Sequence, residues 1–134
     1  MKVLIAPDSF KGSLTAKEVS ESVALAVKRI FPNSHLEKIP FSDGGEGAID
    51  LFNDTIQGKV IRCDVVDPYG RPINKPYFVF EKGKSAWIEL SQASGLIQIK
   101  EEEKNPLLTS TYGTGLQIKH ALKSNCKNIF LGLG

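Results

Sequence analysis

A chain of 134 residues, 41% hydrophobic and 24% charged, has the composition of one globular domain, long enough to bury roughly 70% of the surface its unfolded form exposes. A net charge of +2, with Lys and Arg scattered rather than clustered among aromatics, argues against a nucleic-acid surface. The amino-terminal apolar run is too short for a signal peptide or a membrane span, and Cys63 and Cys126 lack metal-ligand spacing, so the expectation is a cytoplasmic protein with two reduced thiols.

Lys2 to Ala6 reads as a strand closed by Pro7, of the kind buried on both faces in a parallel sheet. The loop Asp8-Ser9-Phe10-Lys11-Gly12-Ser13 follows. Thr15 with Glu18 three residues on forms a capping box, and Ala16, Val19, Val23, Ala26, Val27 and Ile30 recur at helical spacing up to Pro32. Leu36 to Ile39 is the next strand, ended by Pro40. Ser42-Asp43-Gly44-Gly45-Glu46-Gly47 then leads into a helix through Ala48, Ile49, Leu51 and Phe52. Each of these two units thus places a polar, glycine-bearing loop at a strand's carboxyl end, where open α/β sheets bind ligands.

The middle of the chain changes character. Val60 to Val66, Tyr77 to Phe80 and Ala86 to Leu90 are strand-like runs separated by turn chemistry at Asp67-Pro68-Tyr69-Gly70 and Glu81-Lys82-Gly83-Lys84. Short connections predict an antiparallel meander with Trp87 and the Tyr77–Phe80 aromatics in its core. Leu96 to Lys104 is polar, and Glu101-Glu102-Glu103 suits a solvated face or a first helical turn. After the break at Asn105-Pro106, the hydroxyl-rich loop Thr109 to Gly115 opens a helix carrying Leu116, Ile118, Ala121 and Leu122, and Asn128 to Gly134 gives a last buried strand. The expected fold class is α/β, with parallel-sheet βα units and an inserted or adjoining antiparallel β meander, divided at 1–57, 58–104 and 105–134. A parallel strand ending in Gly132-Leu133-Gly134 ordinarily runs on into a ligand-binding turn, so the chain is expected to be the amino-terminal piece of a longer protein.

Phosphoryl transfer asks for cationic donors and backbone amides on phosphate oxygens, a divalent ion and a carboxylate near the attacking hydroxyl. Lys11 can reach a phosphate or a substrate carboxylate from its strand-end loop, with Ser13 as a neutral donor. Asp43 and Glu46 can ligand magnesium, or one can accept a proton from an alcohol, while the amides of Gly44, Gly45 and Gly47 face the anion. Residues Thr111, Tyr112, Gly113 and Thr114 can add hydroxyl and amide donors at a helix start. No Walker A sequence or protein-kinase glycine loop is present, and His35 and His120 suit a surface better than a nucleophile's base.

Ile5-Ala6-Pro7-Asp8-Ser9-Phe10-Lys11-Gly12-Ser13, Asp43-Gly44-Gly45-Glu46-Gly47, Asn105 through Gly115 and the final Gly132-Leu133-Gly134 occur in an order that resembles the amino-terminal third of the bacterial type I glycerate kinase family. The resemblance runs from Val3 to Gly134. It implies a two-domain α/β kinase, one domain inserted into the other, of which this chain is an incomplete part. It further implies ATP and Mg2+ as cofactors and D-glycerate as substrate, phosphorylated to 2-phosphoglycerate in many members. By the same resemblance the loop with Asp8, Ser9, Lys11 and Ser13 and the loop from Asp43 to Gly47 line the cleft. Lys11 would be the electrostatic stabiliser, Asp43 a base or magnesium ligand, and Glu46 a metal ligand or orienting group. Two further expectations differ in class: a non-catalytic phosphate-ligand binding domain, and a structural half that self-associates or pairs with a separate carboxyl-terminal half.

Overall fold

The computed structural model describes residues 1–134 and divides them into two compact units, Met1–Asp43 and Gly44–Gly134. In the first, β1 (Lys2–Ile5), α1 (Ala16–Ile30) and β2 (His35–Lys38) form a βαβ unit. Its strands pair in parallel from Lys2 opposite His35 to Ile5 opposite Lys38. The capping box is formed: the Thr15 hydroxyl oxygen accepts the Glu18 N–H at 3.2 Å, and the Glu18 carboxylate accepts the Thr15 N–H at 2.8 Å.

Two expectations about this unit are corrected. Strand β1 is not buried on both faces, since Ile5 is buried while Leu4 is 58% exposed. Helix α1 buries Ala16 and Val19 of the expected stripe together with Ser20 and Ala24, and leaves Val23 40% and Ile30 71% exposed. A two-stranded sheet offers one narrow face, and the small residues are the ones that let the helix approach it.

The second unit contains α2 (Ala48–Thr55), β3 (Gly58–Val66), β4 (Pro72–Phe80), β5 (Ser85–Glu89), α3 (Leu90–Ser94), α4 (Tyr112–Lys123) and β6 (Asn128–Gly132). Strands β3, β4 and β5 make the expected antiparallel meander, and β6 adds to it in parallel beside β5, giving the order β3-β4-β5-β6. Side chains alternate between the faces of β4. Tyr77 and Val79 join Cys63, Val65, Ala86, Ile88, Ala93, Ala121 and Cys126 in one core cluster, which takes in α3 and α4. Phe78 instead meets Phe52 of α2, whose ring stands edge-on to Trp87 at 4.9 Å. Both cysteines are free and buried, and Tyr77 and Phe78 are wholly buried. The polar stretch after α3 forms short 3-10 turns at Leu96–Gln98 and Glu101–Glu103.

Candidate functional site

In the first unit the candidate residues gather at the carboxyl ends of two parallel strands. Beyond Ile5 and Lys38 the ladder continues, with the Ile39 N–H donating to the Ile5 carbonyl and the Phe41 N–H to the Pro7 carbonyl, each at 2.8 Å. Asp8 therefore emerges beside the segment that leads to Asp43. Its Oδ1 accepts the Ser9 N–H at 2.6 Å, and its Oδ2 accepts the Asp43 N–H at 3.3 Å. One carboxylate thus ties both strand-end loops together.

Lys11 lies at the tip of a tight turn. The Phe10 N–H donates to the Leu14 carbonyl, the Ser13 N–H donates to the Phe10 carbonyl, and Gly12 takes the left-handed φ of +73° that closes the loop. This geometry leaves the Lys11 and Ser13 side chains exposed. The amino terminus of α1 is not open beside them, because Thr15 and Glu18 supply its cap from within the chain.

In the second unit Gly44 and Gly47 adopt φ values of +94° and +92°, which only glycine reaches without strain. Gly45 is buried and Glu46 exposed. Gly47 caps α2 through its backbone alone, with no side-chain hydrogen bond. The missing cap comes from 40 residues away. Glu89, fully buried at the end of β5, accepts the Ile49 N–H on Oε1 at 2.5 Å and the Gln92 amide on Oε2 at 2.9 Å. Burial pushes its carboxyl pKa up, and the Gln92, Ile49 and Gly47 donors offset only part of that rise. The Gly47 amide, expected to face an anion, is among the groups that lower the Glu89 carboxyl pKa.

The third loop is anchored from two sides. The Ser110 N–H donates to the Pro68 carbonyl at 3.0 Å, and a methyl group at Gly113 would lie 1.9 Å from the Val66 carbonyl oxygen. Thr114 is buried with its hydroxyl 2.6 Å from that of Ser94, so it faces the interior, while Thr111 and Tyr112 face solvent. No group of three or more His, Cys, Asp and Glu side chains is placed to hold a metal. Asp43 and Glu46 are both exposed.

Sequence reasoning missed three supports of these loops. Glu89 sits in the run Ala86-Trp87-Ile88-Glu89-Leu90, where one acid among apolar residues is itself a signal, since a buried charge requires partners. Asp67, read as a turn former, is buried and accepts the N–H groups of Tyr69 and Arg71, each at 2.9 Å, and the Arg71 Nε–H at 2.5 Å. Arg71 goes on to the Glu103 carboxylate, and the Tyr69 hydroxyl donates to the Glu103 carbonyl, which pins the segment before the third loop to the β3–β4 hairpin. Gln117, buried on α4, donates to the carbonyl of Pro76 at 2.9 Å.

Comparison with known proteins gives this arrangement a lineage. The profile of the glycerate kinase family matches residues 3–134. The glycerate kinase of Haemophilus influenzae is 46% identical over 134 residues, covering all of this chain and 35% of that protein. The glycerate 2-kinase of Escherichia coli is 39% identical with the same coverage. A crystal structure assigned to glycerate kinase 2 of Salmonella typhimurium LT2 superposes with a TM-score of 0.71 at 37% identity, covering the whole of this chain and 36% of that one. The chain thus spans about a third of the length of these relatives, and no helix in it is long and apolar enough to cross a membrane. It belongs to the glycerate kinase family.

Proposed function

We propose that this chain supplies part of the active site of a cytoplasmic glycerate kinase, which transfers the γ-phosphoryl group of ATP to D-glycerate and releases phosphoglycerate, 2-phosphoglycerate being the favoured product. The observation that carries this reading is the bond from the Asp43 N–H to the Asp8 carboxylate, which joins two polar loops at the carboxyl ends of parallel strands. Lys11 would stabilise charge on the phosphoryl group or the substrate carboxylate, with Ser9 and Ser13 as neutral donors nearby in sequence. Asp43 would accept the substrate's proton or ligand Mg2+, and Glu46 would serve as metal ligand or orienting group. Thr111 and Tyr112 would add donors from the start of α4. When bound, Mg2+ and ATP supply the charge neutralisation and the phosphoryl group.

The test is a chimera in which residues 1–134 replace the corresponding segment of the Haemophilus influenzae relative. A coupled assay with ATP, Mg2+ and D-glycerate should report turnover, and Lys11→Ala or Asp43→Asn in the chimera should lower kcat about a hundredfold or more. Ligand binding without turnover in a folded chimera, or full turnover in both variants, overturns the proposal.

A further inference from the structure

The glycine motif has the composition of a phosphate cradle, yet the donors at the start of α2 already face an anion of the protein's own. Gly47 supplies no side-chain cap, and the Ile49 N–H is spent on Glu89 Oε1 at 2.5 Å. Glu89 is fully buried, and its second oxygen is held by Gln92 at 2.9 Å, so both ends of the carboxylate are fixed. The same strand end grips the loop in two further ways. Glu89 lies directly opposite Gly132 in the β5–β6 register, and Gly44 packs against Gly132 and the Trp87 ring. A methyl group on Gly132 would come within 1.9 Å of the Gly44 carbonyl oxygen and 2.7 Å of the Trp87 ring. Residues 87, 89 and 132 therefore form a bed on which Gly44 to Gly47 rests, and Glu46 is the one long side chain of that stretch left exposed.

We propose that Glu89 is a positioning residue: its carboxylate takes the seat at the start of α2 that a substrate phosphate would otherwise occupy, and thereby fixes the Gly44–Gly47 turn with Glu46 outward. The motif then acts as a rigid mount for a carboxylate, and phosphate recognition falls to other donors. This role rests on the kinase reading for its catalytic consequence, but its structural content does not.

Two measurements on this chain decide the structural content without any activity. In the unaltered chain, inorganic phosphate at up to tens of millimolar should leave the Gly47 and Ile49 amide resonances in place, since helix N-termini bind anions only where their donors are open. A saturable shift of those two resonances overturns the proposal. In Glu89→Gln, which is close in volume to the native side chain, amide exchange at Gly47 and Ile49 should accelerate about tenfold at about pH 8, as a charge-assisted acceptor gives way to a neutral one. Amides in β3 and β4 serve as internal reference. Equal exchange in both proteins overturns the proposal, and a uniform rise over all amides, the sign of general destabilisation, does so too.

In the chimera, Glu89→Gln should lower kcat about tenfold while the KM for D-glycerate stays within about twofold, as expected when a group acting in the transition state is misplaced. Unchanged kcat removes the positioning role even if the amide results hold. A folded chimera that binds ligand without turnover refutes the kinase reading and leaves the amide results to judge the seat.

Discussion

The carbonyl oxygen of Gly44 stands over the α-carbon of Gly132 so closely that a methyl group on Gly132 would approach it to 1.9 Å, nearer than any side chain can be accommodated. The contact is to backbone, which cannot rotate away, and the Trp87 ring lies 2.7 Å from the same methyl position. Gly132→Ala should therefore destabilise the fold by about 1–3 kcal/mol through overpacking, measured as a lowered midpoint in urea unfolding with an unchanged slope. Gly113→Ala should behave alike, since its methyl group would meet the Val66 carbonyl at the same distance. Wild-type midpoints in both variants would show that the close approaches are not required.

Gly115 makes the opposite case. It lies inside α4 with open space where a side chain would go, and its φ is not positive. Nothing in the fold demands a glycine there, and alanine restricts the unfolded chain while favouring the helix. Gly115→Ala should stabilise the chain by about 0.5–1 kcal/mol in the same urea experiment. A loss of stability would show that position 115 requires glycine after all.

The amino terminus of α1 is held by Thr15 alone among the hydroxyls near it, with Glu18 closing the box. Thr15→Ala should cost about 1 kcal/mol, whereas Ser13→Ala, in the exposed turn before it, should cost little. Equal effects in the two variants would show that the cap does not act through the Thr15 oxygen. The comparison also separates a structural hydroxyl from a candidate ligand-binding one.

The elements legible in the sequence were those announced by a local pattern. The capping box at Thr15 and Glu18, the turns at Asp67 and Gly83 and the strand-like runs between them depend on residues a few positions apart, and the structure reproduces them. Two kinds of feature escaped. Burial on α1 depends on how much sheet there is to cover it, and two strands cannot cover Val23 and Ile30. Most supports of the loops join residues 32 or more positions apart, as with Arg71 and Glu103, Glu89 and Ile49 or Gly44 and Gly132, and no spacing rule encodes those pairs. Asp43, Glu46 and Lys11 stood out in the sequence as polar residues beside glycines, and the structure leaves all three exposed. What holds their loops was written in residues that look like core.

Asp67 gives the fold an acid limb that can be measured. Burial alone would raise its carboxyl pKa, but the N–H groups of Arg71 and Tyr69 and the Arg71 guanidinium outweigh that and hold it below the usual carboxylate range. A carboxyl whose folded pKa lies below its unfolded value of about 3.9 binds its proton more readily when unfolded, so stability rises with pH in that window. The contribution of Asp67 is thus complete above about pH 4 and is lost as the pH falls through the depressed folded value. Asp67→Asn keeps an acceptor for the Tyr69 and Arg71 N–H groups but removes the charge that faces Arg71, and should cost about 1–3 kcal/mol near pH 7. The gap between wild type and variant should narrow steadily in urea unfolding below about pH 4, because protonation does to the wild type what the substitution has already done. A gap independent of pH would place the effect of the substitution in packing. It would then leave the Asp67–Arg71–Glu103 chain as a geometric tie without an electrostatic share in stability.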